Sequence, residues 1–167
     1  GIPLPYTLTF ENASDASRSV ATLRIVQSLD SDLDIRSFRL GDIHLGDITV
    51  HLPSTRAAFT GEFDFTDERG FVLRVTAGMD VVTGTAMWVL KAIDPETGLA
   101  TTDPSLGLLT PGEGGSLSYT IKANPSSATG AEIRAAANLF YNADAPRLTH
   151  TATNLLDAVA PQTTFTV

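Results

Sequence analysis

Apolar residues recur at every second position in one stretch of this chain after another, and that spacing is the strongest constraint on its fold. Tyr6, Leu8 and Phe10 alternate with Thr7, Thr9 and Glu11; Ala21, Leu23 and Ile25 with Thr22 and Arg24; Ile48, Val50 and Leu52 with Thr49 and His51. Phe59, Phe63 and Phe65 are interleaved with Thr60, Glu62 and Asp64, while Phe71, Leu73 and Val75 face away from Arg74 and Thr76. Leu117, Tyr119 and Ile121 alternate with Ser118 and Thr120. Successive side chains of a strand point to opposite faces, so each run predicts a strand with one apolar and one wet face.

The separators carry turn chemistry. Asp67-Glu68-Arg69-Gly70 fits a hairpin loop, with Gly70 free to adopt the positive φ such loops need. Thr85 to Ile93, TAMWVLKAI, is apolar on both parities and predicts a central strand covered on both faces. Ala131 to Tyr141, AEIRAAANLFY, is rich in helix-favouring Ala, yet Ile133, Ala135, Ala137, Leu139 and Tyr141 fit one strand face, and strand agrees better with the rest. Two longer connections remain: residues 94 to 115, rich in Pro and Gly and of a length usually functional or mobile, and Asn142 to Pro146. Short strands without a recurring amphipathic helix predict an all-β, antiparallel sandwich. We expect one domain over residues 1–160, with 161–167, PQTTFTV within it, as a linker or the first strand of a following module. Gly1 followed directly by Ile-Pro-Leu-Pro reads as an internal boundary of a longer chain.

At 43% hydrophobic and 18% charged residues the chain can bury a core, and no apolar run approaches the roughly 20 residues of a membrane-spanning helix. The formal charge of -8, with nine Arg and two Lys scattered along the chain, repels phosphate backbones and argues against nucleic-acid binding. Cysteine is absent, which removes disulfides, thiolate metal sites and thiol nucleophiles together.

A search for chemistry finds little. The three histidines, His44, His51 and His150, accompany no G-x-S-x-G elbow, H-E-x-x-H, P-loop or G-x-G-x-x-G, and His44 and His51 fall on polar parities that predict exposed rings. Trp88, Tyr6 and Tyr119 share parity with aliphatic residues and predict core packing, leaving Tyr141 as the ring placed to meet a sugar. A buried Lys for an isopeptide crosslink is supplied only by Lys91, since Lys122 lies on a polar parity. Asn12-Ala13-Ser14 matches the glycosylation tripeptide.

SLDSDLDIRSF places Asp30, Asp32 and Asp34 at alternate positions, as in the first half of a calcium loop. The EF-hand template then demands a glycine where Ile35 stands and a bidentate glutamate where Gly41 stands, so that loop type is excluded. The three aspartates read chiefly as turn residues, with a calcium site shared among loops as the alternative. Asp94, Glu96, Asn142 and Asp144 would be its other oxygen donors.

Several phrases together, LPYTLTFEN at 4 to 12, SLDSDLDIRSFRLGDIHLGDITVHLP at 28 to 53, VTAGMDVVTGTAMWVLKAIDPETG at 75 to 98 and TDPSLGLLTPGEGGSLSYTIKA at 102 to 123, with the closing Asn154 to Asp157, resemble a family of immunoglobulin-like domains of unknown function in large secreted or cell-surface bacterial proteins. The family's closing phrase F-D-x-N-x-P-I is altered here to Tyr141-Asn142-Ala143-Asp144-Ala145-Pro146-Arg147. The resemblance implies an immunoglobulin-like sandwich without catalytic residues, acting as a structural or adhesive module, extracellular or on the cell surface, and stiffened by calcium in one version. Its partners would be neighbouring domains of the same chain and surface glycans or proteins. A carbohydrate-binding module attached to a secreted hydrolase, using Tyr141 and the 94 to 115 loop, is the alternative.

Overall fold

The computed structural model describes residues 1–157, so the segment 161–167 lies outside the described residues. Strands β1 (Leu4–Glu11), β2 (Thr22–Ser28), β3 (Leu33–Leu45), β4 (Ile48–Val50) and β5 (Ala58–Phe65) are followed by one helical turn, α1 (Thr66–Arg69). After it come β6 (Phe71–Asp80), β7 (Thr85–Ile93), β8 (Gly114–Ala123), β9 (Glu132–Ala135), β10 (Asn138–Tyr141), β11 (Arg147–Leu148) and β12 (Ala152–Leu155). They form a four-stranded sheet in the order β1-β8-β3-β4, a six-stranded sheet in the order β11-β10-β2-β7-β6-β5 and a small β12-β9 ribbon, all antiparallel.

The two large sheets face one another across a shared core. Trp88 on β7 reaches Phe38 and Tyr119 of the opposite sheet, with ring centroids 6.0 and 5.8 Å apart, and Phe38 lies 5.1 Å from Tyr119. All three rings are buried. Aromatic contacts at these distances add roughly 0.5–1.5 kcal/mol per pair to area burial. The architecture is the expected all-β, antiparallel sandwich with its long Pro/Gly-rich loop.

Local details refine the sequence reading. The hairpin at Asp67–Gly70 is present, with Gly70 at φ 78° closing α1 and Phe65 paired with Phe71. Strand β7 is central, but only its Ala86, Trp88, Leu90 and Ala92 face is core; Met87 and Lys91 lie on the partly exposed outer face. The expectation of two covered faces therefore fails. Residues 131–141 are strand, split at Ala136–Ala137 so that β9 joins the small ribbon and β10 joins the large sheet.

The acidic phrase is a turn only through Asp32, because Asp34 already belongs to β3, the longest strand. The register of β3 against β8 shifts between Asp34 and Arg39 and again between Leu40 and Ile43. Its buried residues consequently fall at 33, 38, 40, 43 and 45, a spacing that hides a strand from a period-two search.

The 94–115 connection is packed against the sandwich. Ile93 bridges Ala100, Val20 bridges Leu109, and Leu108 and Leu109 are buried. Gly107 is required by the closeness of this approach, since a Cβ there would stand 2.5 Å from the Val20 carbonyl. Arg69 fastens the same region. Its guanidinium donates to Asp47 Oδ1 at 2.8 Å and Glu113 Oε2 at 3.0 Å, joining the β5–β6 hairpin to two turns of the other sheet.

Candidate functional site

Among the described residues the four-stranded sheet ends on β1 and the six-stranded sheet on the two-residue β11, and these borders do not pair with each other. A groove of about 460 Å³ lies between them. Tyr6, Leu8 and Phe10 form one wall, Leu139, Tyr141 and Leu148 the other, and Gln27 and Tyr119 also line it. The wall of β1 follows from its alternation, which turns these three residues inward and leaves Pro5, Thr7, Thr9 and Glu11 exposed.

Behind this lining Gln27 and Tyr119 are each 1% exposed, with the Gln27 amide beside the Tyr119 phenol. Burial pushes the Tyr119 phenol well above its ordinary range, with the adjacent Gln27 amide opposing. Tyr6 is raised for the same reason, with Asn154 opposing and the Asp30 charge adding to the rise.

The ring faces are already used. Tyr6 and Tyr119 stack on one another at 5.2 Å with planes 6° apart, and the Arg147 guanidinium stands 5.3 Å from the Tyr141 ring centre. Tyr141, expected as an open platform for a sugar, is only 6% exposed. It ends β10 with its side chain turned between the sheets, and burial raises its phenol against the influence of the Glu11 backbone and Arg147.

The oxygen donors expected at a calcium site are not brought together. Asp30, Asp32 and Asp34 lie beyond the C-terminal end of β2, whereas Asp94, Glu96, Asn142 and Asp144 lie at its other end, beside Ala21 and Thr22. Seven residues of strand separate the two groups by about 20 Å. Several of these oxygens serve the backbone, and that of Asp32 serves a serine hydroxyl. Asp30 accepts from the N–H groups of Asp32 and Arg134, Asp32 from the Ser127 hydroxyl, Asp34 from the Arg36 N–H and Asp94 from the Glu96 N–H. Asn142 Oδ1 accepts from the N–H groups of Ala21 and Thr22, and Asn142 holds a positive φ of 52°. No group of three or more His, Cys, Asp or Glu among the described residues is arranged to hold a metal ion.

The remaining candidates are dispersed. His44, His51 and His150 are exposed; His44 meets Thr49 and His51 meets Asp42, each at 3.0 Å. Lys91 lies on the outer face of the six-stranded sheet between Thr22 and Arg74 rather than in the core. Asn12 spends its side-chain amide on the carbonyls of Arg18 and Leu109. What the sequence reading missed is Gln27, and the signal was present: it continues the core parity of Leu23 and Ile25, where a polar side chain is out of place.

No family model matches the chain. No curated protein matches it either. Among solved structures it is similar to the collagen-binding domain from a Staphylococcus aureus adhesin, with 13% identity, 90% of this chain and 85% of that chain covered, and a TM-score of 0.44.

Proposed function

We propose that the chain is a non-catalytic adhesive module of a large extracellular bacterial protein, and that the groove beside β1 is its binding surface. The observation that carries this reading is the groove of about 460 Å³ between β1 and β11, walled by Tyr6, Leu8 and Phe10 on one side and by Leu139, Tyr141 and Leu148 on the other. The sequence phrases resembling bacterial surface-protein domains support the extracellular setting.

Beads coated with the 167-residue chain, allowed to settle on immobilised extracellular-matrix proteins and on epithelial cells under flow, test the reading. Retention above albumin-coated beads is expected. Equal retention would overturn it.

A further inference from the structure

We propose that the outer face of the six-stranded sheet, over β10, β2 and β7, docks an acidic protein partner on a patch that is cationic and partly apolar. This surface lies on the opposite side of the sheet from the sandwich core and apart from the groove beside β1, so the proposal goes beyond the adhesive reading and does not depend on it. Three observations carry it.

The first is the distribution of charge. The chain holds 19 acidic residues, yet none falls within β10, β2 or β7. Arg24 and Lys91 project outward from these strands, Arg24 exposed and Lys91 partly so, and neither has a carboxylate partner among the described residues. The recorded contact of Arg24 is the Phe140 ring, 4.0 Å away. The carboxylates of the same face stand at its rim and are engaged: Glu62 on β5 with Arg74 at 2.8 Å, Asp64 with the Thr66 N–H, and Asp80 with two N–H groups of its own hairpin turn. On a chain of formal charge -8, the middle of this sheet therefore attracts an anion where most of the surface repels one.

The second is the register. Lys91 of β7 stands directly opposite Arg74 of β6, on strands about 5 Å apart. Arg74 has Glu62 on its far side, whereas the other neighbour of Lys91 is Thr22 of β2, which brings no charge. Like charges at facing positions destabilise a sheet. A carboxylate seated beside Lys91 relieves that repulsion.

The third is the apolar content. Met87 is 40% exposed, and Val26, Val89, Val72 and Phe140 are partly exposed on the same face. Val26 pairs with Met87 and Arg24 with Val89, so the cations border an apolar strip that crosses the strands. Aliphatic and thioether side chains gain from burial against a protein. They offer a polysaccharide no open ring, since Arg24 lies over Phe140. The patch suits a segment that carries Asp or Glu beside apolar residues.

A phage-displayed library of random dodecapeptides, selected on the 167-residue chain, supplies the probe. Enriched sequences should combine Asp or Glu with apolar residues, and as synthetic peptides they should shift the NMR amide resonances of β2 and β7. By fluorescence anisotropy they should bind about 10-fold more weakly to Lys91→Glu and several-fold more weakly to Met87→Thr. Arg56→Glu, the same charge reversal at an exposed residue elsewhere, should leave binding within about twofold. Lys91→Glu faces Arg74, so its melting temperature should equal or exceed that of the unchanged chain, which separates lost binding from lost folding. Replacing the acidic residue of the peptide by Lys should restore binding to Lys91→Glu. Absence of enrichment, equal weakening by Arg56→Glu, resonance shifts confined to β1 and the groove, self-association that Lys91→Glu abolishes, or tighter Lys91-dependent binding of heparin would each overturn the proposal.

Discussion

Arg69 Nη2 donates to Glu113 Oε2 at 3.0 Å, and this contact holds the hairpin of one sheet against the turn that leads into the other. Arg69 is 13% exposed on its side chain, and Glu113 Oε2 also accepts the Thr110 N–H at 2.8 Å, so the carboxylate organises the end of the 94–115 loop as well as binding the guanidinium. Partly buried charge-assisted bonds of this kind contribute about 1.5–3 kcal/mol. Arg69→Ala should therefore lower the unfolding free energy by about 2 kcal/mol, measured by urea titration, whereas Arg74→Ala, which breaks an exposed pair with Glu62, should cost no more than about 0.5 kcal/mol. Equal costs would show that the Arg69 contact is not a clamp.

Asn142 carries a second clamp. Its Oδ1 accepts from two backbone N–H groups at the start of β2, at 2.8 and 3.2 Å, and its φ of 52° is one that Asn tolerates and most residues do not. Asn142→Asp keeps the acceptor and should be the mildest change. Asn142→Gly keeps the backbone freedom but loses the bonds, and Asn142→Ala loses both at a cost of about 2–3 kcal/mol. That order, Asp then Gly then Ala, should appear in the chemical denaturation midpoints. Trp88, the one tryptophan and fully buried, reports each transition by fluorescence.

Calcium should leave stability unchanged. A bound ion raises the melting temperature by mass action on the folded state, which requires oxygens converging on one point. Here the donors are divided between two ends of β2, and Asp30, Asp34, Asp94 and Asn142 accept from backbone N–H groups. Thermal unfolding with millimolar calcium and with a chelator should coincide, and Asp144→Ala should not alter the comparison.

The pH limits follow from two sets of groups. Burial raises all three tyrosines above the ordinary 10.0, so below pH 10 both folded and unfolded chains keep their phenols neutral and stability is undiminished. Above it the unfolded chain ionises first, and stability falls as pH rises. Phenolate absorbance should consequently appear together with the loss of Trp88 burial. At the acid side, bonds from the Thr66 hydroxyl to Asp64, the Val82 N–H to Asp80 and the Ser105 hydroxyl to Asp103 hold these carboxylates below 3.8. Their contribution is present above pH 3.8 and lost as pH falls through their lowered values. Replacing all three by Asn, which still accepts from the turns, should flatten the dependence of melting temperature on pH between about 4 and 2.

Strands β1, β2, β5, β6 and β8 were legible because each keeps strict alternation, and the β5–β6 hairpin because Gly70 stands where a positive φ closes the turn. Strand β3 was not, since two register shifts move Leu33, Phe38, Leu40, Ile43 and Leu45 out of a single parity. The aspartates of SLDSDLDIRSF, read chiefly as turn residues, do accept hydrogen bonds at and beside the turn, although Asp34 already belongs to β3.

Side-chain parity within a strand is a local property, so the sequence by itself determined that this chain builds half-buried strands joined by polar turns, without cysteine chemistry and with an acidic surface. Which strands border one another is set by long-range pairing and by the bulges that bend β3, and alternation carries no information about either. Only the tertiary structure therefore placed Gln27, Tyr119 and Tyr6 from three different strands into one groove, stacked the ring faces against each other, and separated Asp30 from Asn142 by the length of β2.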